Sequence, residues 1–321
     1  MPGIPEEAKM LRGLWGGFQS ARVLLTANNF GVFDHLKSAR KAEDIAALLR
    51  TDRRATEILL DALTGLGLLK KTAGRYRNAA MASRFLVKGS PLYQGDIMRH
   101  ADILWKNWSG LDKVLKTGEP YHAAHDQGSF IKGMHNLASL KARNVIRAIN
   151  MKGVKRALDL GGGPGTYAIE MAKHGVSVTL YDRPETIEIA RAIVEQSGLR
   201  HVGFAEGDFL SDDIGFGYDL VFISQVLHAC SEDECFLVIE KARNALRPGG
   251  RVVIQEFFIT DDRTRPSQSA LFSVNMLVNT TAGRCYARRE IRSWLSAAGF
   301  RKMKDKILDD AVLISGEKAL S

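Results

Sequence analysis

Arg156-Ala-Leu-Asp-Leu-Gly-Gly-Gly-Pro-Gly-Thr166, running on into Tyr167-Ala-Ile-Glu-Met-Ala-Lys173, is the stretch that decides the fold. Ala157, Leu158 and Leu160 make a short apolar run that reads as a buried strand closed by Asp159, and Ile169, Met171 and Ala172 then begin a helical pattern. Glycines at a strand-to-helix turn let the backbone approach a ligand closely. Free N–H groups at the helix start can hold a carboxylate or phosphate. The nicotinamide spacing G-x-G-x-x-G is not met. Gly161, Gly163 and Gly165 alternate, Pro164 intervenes, and Thr166 stands where a third glycine would be. The strand-loop-helix context marks a cofactor loop of another kind.

The chain's 321 residues suffice for two domains, and 45% hydrophobic with 25% charged residues is ordinary for a soluble globular protein. No apolar run is long enough to cross a bilayer, and Met1-Pro-Gly-Ile-Pro-Glu-Glu7 lacks the basic and apolar regions of a signal peptide. Cys230, Cys235 and Cys285 have neither zinc spacing nor the even count of a disulfide frame, so a reducing cytoplasm is expected. Residues 1–90 hold fifteen Lys/Arg against eight Asp/Glu, most of the net charge of +9. Such asymmetry can mark a nucleic-acid surface, so that segment has to be read for one.

Residues from about 8 to 30 read as one helix apolar on two sides, carrying Leu11, Leu14, Trp15, Phe18, Val23, Leu24 and Leu25. Such a helix must be covered twice, in its own domain or by a second subunit. After Gly31–Leu36, helices over Lys41–Leu49 and Ala55–Leu63 are joined by a short polar turn, and Leu66–Tyr76 reads as a hairpin with Gly74 at its tip. The unit reads as a winged helix. Its second helix offers Arg53 and Arg54 only at the start, then Glu57 and Asp61, which would face phosphates unfavourably. The reading is therefore an assembly domain without nucleic acid or membrane as partner.

Residues 91–150 read as helical, with Trp105, Trp108 and a loop over Gly118–His125. His122 and His125 read as surface histidines of that loop, and no metal is expected. Phe130, Met134, Leu137, Ala138, Val145 and Ile149 mark a long connecting helix, whose Phe130 and Met134 either roof a site or pack in the core. From residue 156 strands at 156–160, 176–181, 201–205, 218–223 and 250–257 alternate with helices at 165–174, 184–197 and 232–247. A helix near 288–298 and a hairpin over Phe300–Ser315 follow. Alternation of this kind belongs to an α/β fold with a doubly wound sheet. Three regions result: 1–90, 91–150 and 151–321.

Ligands of such sheets bind outside the C-terminal strand ends. Asp182 ends the second strand and can accept both hydroxyls of a ribose; capping the helix that begins at Pro184 is its bland role. Asp208 can take an adenine amino group and Phe209 can cover the ring, although both also suit a turn. His228 falls between the fourth strand and the helix announced by the capping box Ser231-Glu-Asp-Glu234. Its position points to a general base. Glu256 closes the fifth strand and can fix the imidazole tautomer, as the acid of a catalytic triad does.

The loop resembles that of S-adenosylmethionine (SAM) methyltransferases, a leading acid followed by G-x-G-x-G. The run Leu227-His-Ala-Cys-Ser-Glu-Asp-Glu-Cys235 with Ala245-Leu-Arg-Pro-Gly-Gly250 and Glu256 resembles the caffeic-acid and hydroxyindole (acetylserotonin) type of O-methyltransferase. Asp182-Arg-Pro184, Gly207-Asp-Phe209 and Asn275-Met-Leu277 extend the likeness over nearly the whole chain. It implies a class I methyltransferase sheet, Rossmann-like, behind an N-terminal all-helical winged-helix domain that makes an intertwined homodimer. It assigns SAM to Asp159, Gly161, Gly163, Asp182, Asp208, Phe209 and Ser224, the last where plant members have a lysine. It assigns catalysis to His228 and Glu256. The chain departs from the family pattern at Ala229-Cys230, where Asp-Trp is usual, and at Cys285, where plant enzymes carry a second glutamate.

The expected reaction is in-line transfer of the SAM methyl to a hydroxyl of a small aromatic or heteroaromatic acceptor, governed by alignment. A phenol near pKa 10 facing a histidine near 6.5 leaves proton transfer uphill by about 3.5 units, or about 5 kcal/mol. A carboxylate behind the imidazole would narrow that gap. Met134, Phe272 and Met276 are candidates for the acceptor pocket, and core packing accounts for each equally well. Carbon methylation stays open, as does a winged-helix regulator that binds DNA and senses a ligand.

Overall fold

The computed structural model describes residues 4–320 and divides into two units, Met1–Asp102 and Ile103–Ser321. Met1–Gly3, on which part of the leader reading rests, and Ser321 lie outside the described residues.

The first unit runs α1 (Glu6–Gly16), α2 (Phe18–Asn29), α3 (Val32–His35), β1 (Arg40–Lys41), α4 (Ala42–Leu49), α5 (Arg53–Gly65), β2 (Leu69–Thr72), β3 (Arg75–Asn78) and α6 (Ala80–Phe85), and then enters α7 (Gly95–Trp108). The single helix expected over 8–30 is broken at Gly17, where two adjacent glycines (Gly16 and Gly17) weaken the helix. α1 buries none of its residues, and Met10, Leu11, Leu14 and Trp15 are each more than 60% exposed. Asp52 caps α5 by accepting from Ala55 N at 2.7 Å. Ala73 and Gly74 both have positive φ, the turn geometry that matches the twist of a two-residue hairpin. Asp61 of α5 accepts from Lys71 Nζ at 2.7 Å and Tyr76 OH at 2.8 Å, which pins the hairpin to the helix. The all-helical expectation for this region is corrected: β1 pairs with β3, and the sheet β1-β3-β2 sits on a core of Val32, Phe33, Ile45, Leu60, Leu63 and Tyr76.

The second unit continues with α8 (Leu111–Thr117), α9 (Gln127–Ile149), β4 (Arg156–Leu160), α10 (Thr166–Ala172), β5 (Ser177–Asp182), α11 (Pro184–Gln196), β6 (Val202–Glu206), β7 (Tyr218–Ser224), α12 (Glu232–Ala245), β8 (Leu246–Phe257), α13 (Ser267–Asn279), α14 (Arg288–Ala297), β9 (Arg301–Leu308) and β10 (Ala311–Glu317). Only α13 is absent from the sequence reading. The seven strands are ordered β6-β5-β4-β7-β8-β10-β9, parallel from β6 to β8, with β10 and β9 added antiparallel.

The central strands are apolar on both sides because both faces are covered. Leu158, Leu160, Val221, Ile223 and Ile254 meet α12 and α14, whereas Ala157, Leu220, Phe222 and Val253 meet α9, α10 and α11. The edge strand β9 exposes Lys302, Lys304 and Lys306, charges that discourage pairing with another chain. Strand order reverses between β4 and β7, so the crevice at their C-terminal ends is where such a sheet binds ligands.

Candidate active site

The glycine loop leaves β4 and is tied to the next strand: Gly161 N and Gly162 N donate to Tyr181 O at 2.8 and 3.3 Å. Gly161 has φ +65°, and a Cβ there would stand 2.7 Å from Val226 Cγ2, so the residue cannot carry a side chain. That contact brings the ends of β4 and β7 together. Gly163, with φ +53°, faces open space on its Cβ side, and the crest of the loop is bare.

Asp182 does not cap α11, whose N-cap is Arg183. Its Oδ2 accepts from Gly163 N and its Oδ1 from Arg183 N, both at 2.8 Å, so it braces the loop. Each oxygen keeps acceptor capacity for a hydroxyl. Burial raises this carboxyl above its ordinary value even though Gly163, Arg183 and Thr186 all favour the anion. Asp208 Oδ1 closes a tight turn onto Leu210 N at 2.9 Å. Lys241 holds the same segment by donating to Phe209 O and Leu210 O, both at 2.9 Å, and the Phe209 ring lies on the Cβ side of Gly161. Ser224 Oγ donates to Gln255 Oε1 at 3.3 Å, and Gln255 Nε2 donates to Tyr167 OH at 3.2 Å.

Asp159 differs from the others. It is fully buried beneath the loop, so its carboxylate has no open side from which to touch a ligand. The expectation of direct cofactor contact is therefore corrected to a place under the loop. Neither oxygen has a hydrogen-bond partner; Ala168 N–H lies close enough to favour the anion without bonding it fully. Burial pushes the carboxyl up to about 7. Against about 3.9 in the unfolded chain, the folded state keeps a proton that the unfolded state has released between those values. The contribution of Asp159 to stability thus falls as pH rises from about 4 to about 7.

His228 sits in the 3-10 turn Leu227–Ala229 that follows β7. Its Nδ1 lies 2.8 Å from Glu256 Oε2, and its backbone N lies 3.4 Å from Oε1. With a carboxylate accepting at Nδ1, that nitrogen carries the proton and Nε2 is left to accept one. Glu256, on the α12 side of β8, is only 2% exposed. The imidazole meets the Phe272 ring edge-on at 5.0 Å and the Phe257 ring at 5.9 Å. The arrangement can take a proton from a hydroxyl in an apolar, water-poor setting.

Of the three acceptor-pocket candidates, Phe272 on α13 reaches the histidine directly. Met276, one turn further along α13, is 7% exposed and belongs to the packed side of that helix. Met134 is half-buried on α9, and the adjacent His135 puts Nδ1 2.8 Å from Thr166 Oγ1, where α10 leaves the glycine loop. His122 and His125 are exposed on the loop before α9, and among the described residues no cluster of three or more His, Cys, Asp or Glu could hold a metal ion.

The O-methyltransferase domain family matches residues 94–301, and the O-methyltransferase dimerisation domain matches residues 13–88. The chain belongs to the O-methyltransferase family. It is similar to the 3-hydroxy-5-methyl-1-naphthoate 3-O-methyltransferase of Streptomyces sahachiroi, at 32% identity over 92% of this chain and 90% of that one. It is also similar to the acetylserotonin O-methyltransferase of Gallus gallus, at 31% identity over 92% of this chain and 94% of that one. Among solved structures, human N-acetylserotonin methyltransferase in complex with SAM superposes with a TM-score of 0.90 at 26% identity, covering 99% of both chains. The protein is a SAM-dependent O-methyltransferase.

Two residues beside the glycine loop and the strand edge of this O-methyltransferase escape a reading of its sequence. Gln225 follows β7 with φ +61°, and its Nε2 is buried without a partner at the ligand edge of the sheet. Nothing in a lone glutamine announces left-handed backbone. His135 is the other; its partner Thr166 lies 31 residues away, beyond any local pattern. The departures in the O-methyltransferase motif also become concrete. Cys285 is 2% exposed, packed with Ile259 and Ala287 against Phe257 and Phe272, and burial pushes its thiol up to about 11, so it is neutral. Cys230 and Cys235 are buried beside the His228 turn, where their sulfurs reach Val226 O and Leu227 O at 3.7 and 3.3 Å.

Proposed function

We propose that this O-methyltransferase methylates a hydroxyl on a small aromatic or heteroaromatic acceptor, with His228 as general base and Glu256 as its partner. The observation that carries the reading is the hydrogen-bonded His228–Glu256 pair, its carboxylate buried, at the strand edge that also presents the glycine loop. The loop suits a nucleoside-bearing cofactor on its own evidence: Gly163 is open, Asp182 has acceptor capacity to spare, Phe209 offers a ring face, and Gln225 holds an orphaned amide. SAM supplies an electrophilic methyl group when bound.

The chain's own residues do the rest. His228 Nε2 takes the proton of the acceptor hydroxyl as the oxygen becomes nucleophilic. Glu256 holds the ring through Nδ1 and stabilises the imidazolium that results. Phe257 and Phe272 keep water from the nitrogen and offer flat faces to an aromatic ring. Asp182 and Asp208 are assigned to ribose and adenine, and Met134, Phe272 and Met276 to the acceptor side. Relatives named for a hydroxynaphthoate and for acetylserotonin support an aromatic acceptor. Incubation with methyl-labelled SAM and either N-acetylserotonin or a hydroxynaphthoate should give an oxygen-linked methyl product. Label on ring carbon would overturn the O-methyl assignment for that acceptor.

The same reading makes the protein a homodimer through its dimerisation domain. The exposed apolar side of α1, with Met10, Leu11, Leu14 and Trp15, is the surface a second copy would cover. Light scattering should return about twice the 35.4 kDa chain mass. A monomer at micromolar concentration would refute it.

A further inference from the structure

Glu256 holds one ring atom of His228 and the Phe272 and Phe257 rings pack against the imidazole, but its aim also depends on the backbone that bears it. That backbone is gripped from outside. The segment Thr280–Tyr286, between α13 and α14, lies against the 3-10 turn of His228. A Cβ on Gly283 would stand 2.4 Å from His228 O and 3.1 Å from Ala229 Cα, both backbone atoms, and 2.6 Å from Thr280 Oγ1. Main-chain atoms cannot rotate out of the way. The requirement for glycine is contact alone, because Gly283 is not in the left-handed region.

The segment is itself anchored. Thr280 Oγ1 accepts from Gly283 N at 2.9 Å and donates to Met276 O at 2.7 Å, and Ser273 Oγ accepts from Cys285 N at 3.1 Å. These bonds fasten it to α13, which also carries Phe272, the wall against the imidazole. On the far side of the turn Tyr286, 2% exposed, donates its hydroxyl to Cys230 O at 2.6 Å. The catalytic turn is thus held at the carbonyl of His228 and again two residues on.

We propose that Gly283 and Tyr286 are positioning residues: the segment between them clamps the His228 turn so that Nε2 is aimed at the acceptor hydroxyl while Nδ1 stays on Glu256. The inference rests on His228 being the base. A Cβ at Gly283 would have to open its contacts by roughly 1 Å to reach ordinary packing. Misplacement of about 1 Å can cost on the order of 10²-fold. Shared between turn and clamp, the displacement should lower kcat about tenfold in Gly283→Ala, with SAM affinity unchanged.

The test reads the imidazole first, and needs no acceptor. In protein labelled with 15N-histidine, at a pH where the ring is neutral, the signal lost in His228→Ala identifies His228 among the eight histidines. In the wild type it should show one tautomer with the proton on Nδ1. In Gly283→Ala it should show a mixture, with the other seven signals unmoved. Tyr286→Phe, which removes the Cys230 O bond and keeps the ring, should move the same signal to a smaller degree and decides the matter if Gly283→Ala fails to fold. An unaltered tautomer would overturn the proposal, and so would a change shared by all eight signals. With an acceptor that turns over, loss of rate in His228→Ala but full rate in Gly283→Ala would sink the clamp alone. Full rate in His228→Ala would sink the base reading beneath it.

Discussion

His228→Ala is expected to cut turnover by 10²- to 10⁴-fold while leaving SAM affinity nearly intact. The loss is that of a general base; alignment of oxygen and methyl survives and keeps a residual rate. The residual rate should climb with pH as acceptor ionised in solution replaces the missing proton transfer. The wild-type rate should exceed it throughout, because His228 takes the proton within the site. Glu256→Gln should be the milder lesion, because an amide can still accept from Nδ1–H at 2.8 Å but cannot stabilise the imidazolium by charge. Rates measured from pH 6 to 10 at saturating SAM decide it. Equal profiles for wild type and His228→Ala would remove His228 from the mechanism.

Asp182→Ala should weaken SAM binding by about 1.5–3 kcal/mol, the usual worth of hydrogen bonds to a charged group. That is roughly 10- to 150-fold in affinity. Two losses combine: the acceptors assigned to ribose, and the bond to Gly163 N that braces the loop. Asp182→Asn separates them, since its amide oxygen can still accept from Gly163 N while the charge is gone. Calorimetry on folded variants gives the numbers. Unchanged affinity in Asp182→Ala would exclude the ribose assignment, whatever becomes of turnover.

What the sequence by itself determined was everything carried by local pattern. Short apolar runs alternating with helical periods yielded all seven strands of the main sheet within a residue or two, apart from the earlier start of β8 at Leu246. Alternating glycines marked the cofactor loop, and the position of His228 and Glu256 at successive strand ends placed them on one edge. α13 went unread because its apolar residues serve more than one neighbour: Phe272 faces His228 and Met276 is buried, while Leu271 is exposed, so no single stripe shows. The two-glycine break after α1 was missed because apolar spacing continues across it.

Only the tertiary structure decided which polar groups work above the loop and which below. Asp159 and Asp182 are both carboxylates at strand ends, yet packing seals the first and leaves the second acceptor capacity toward the open loop. The pairing of His228 with Glu256, 28 residues apart, depends on β7 lying beside β8 in register, with Ser224 opposite Gln255. The contact of Gly283 with the His228 carbonyl depends on a loop returning 55 residues later. Such relations are distances between backbones that neighbouring residues do not constrain. Periodicity reports which side of an element is apolar, and the fold alone sets what that side meets.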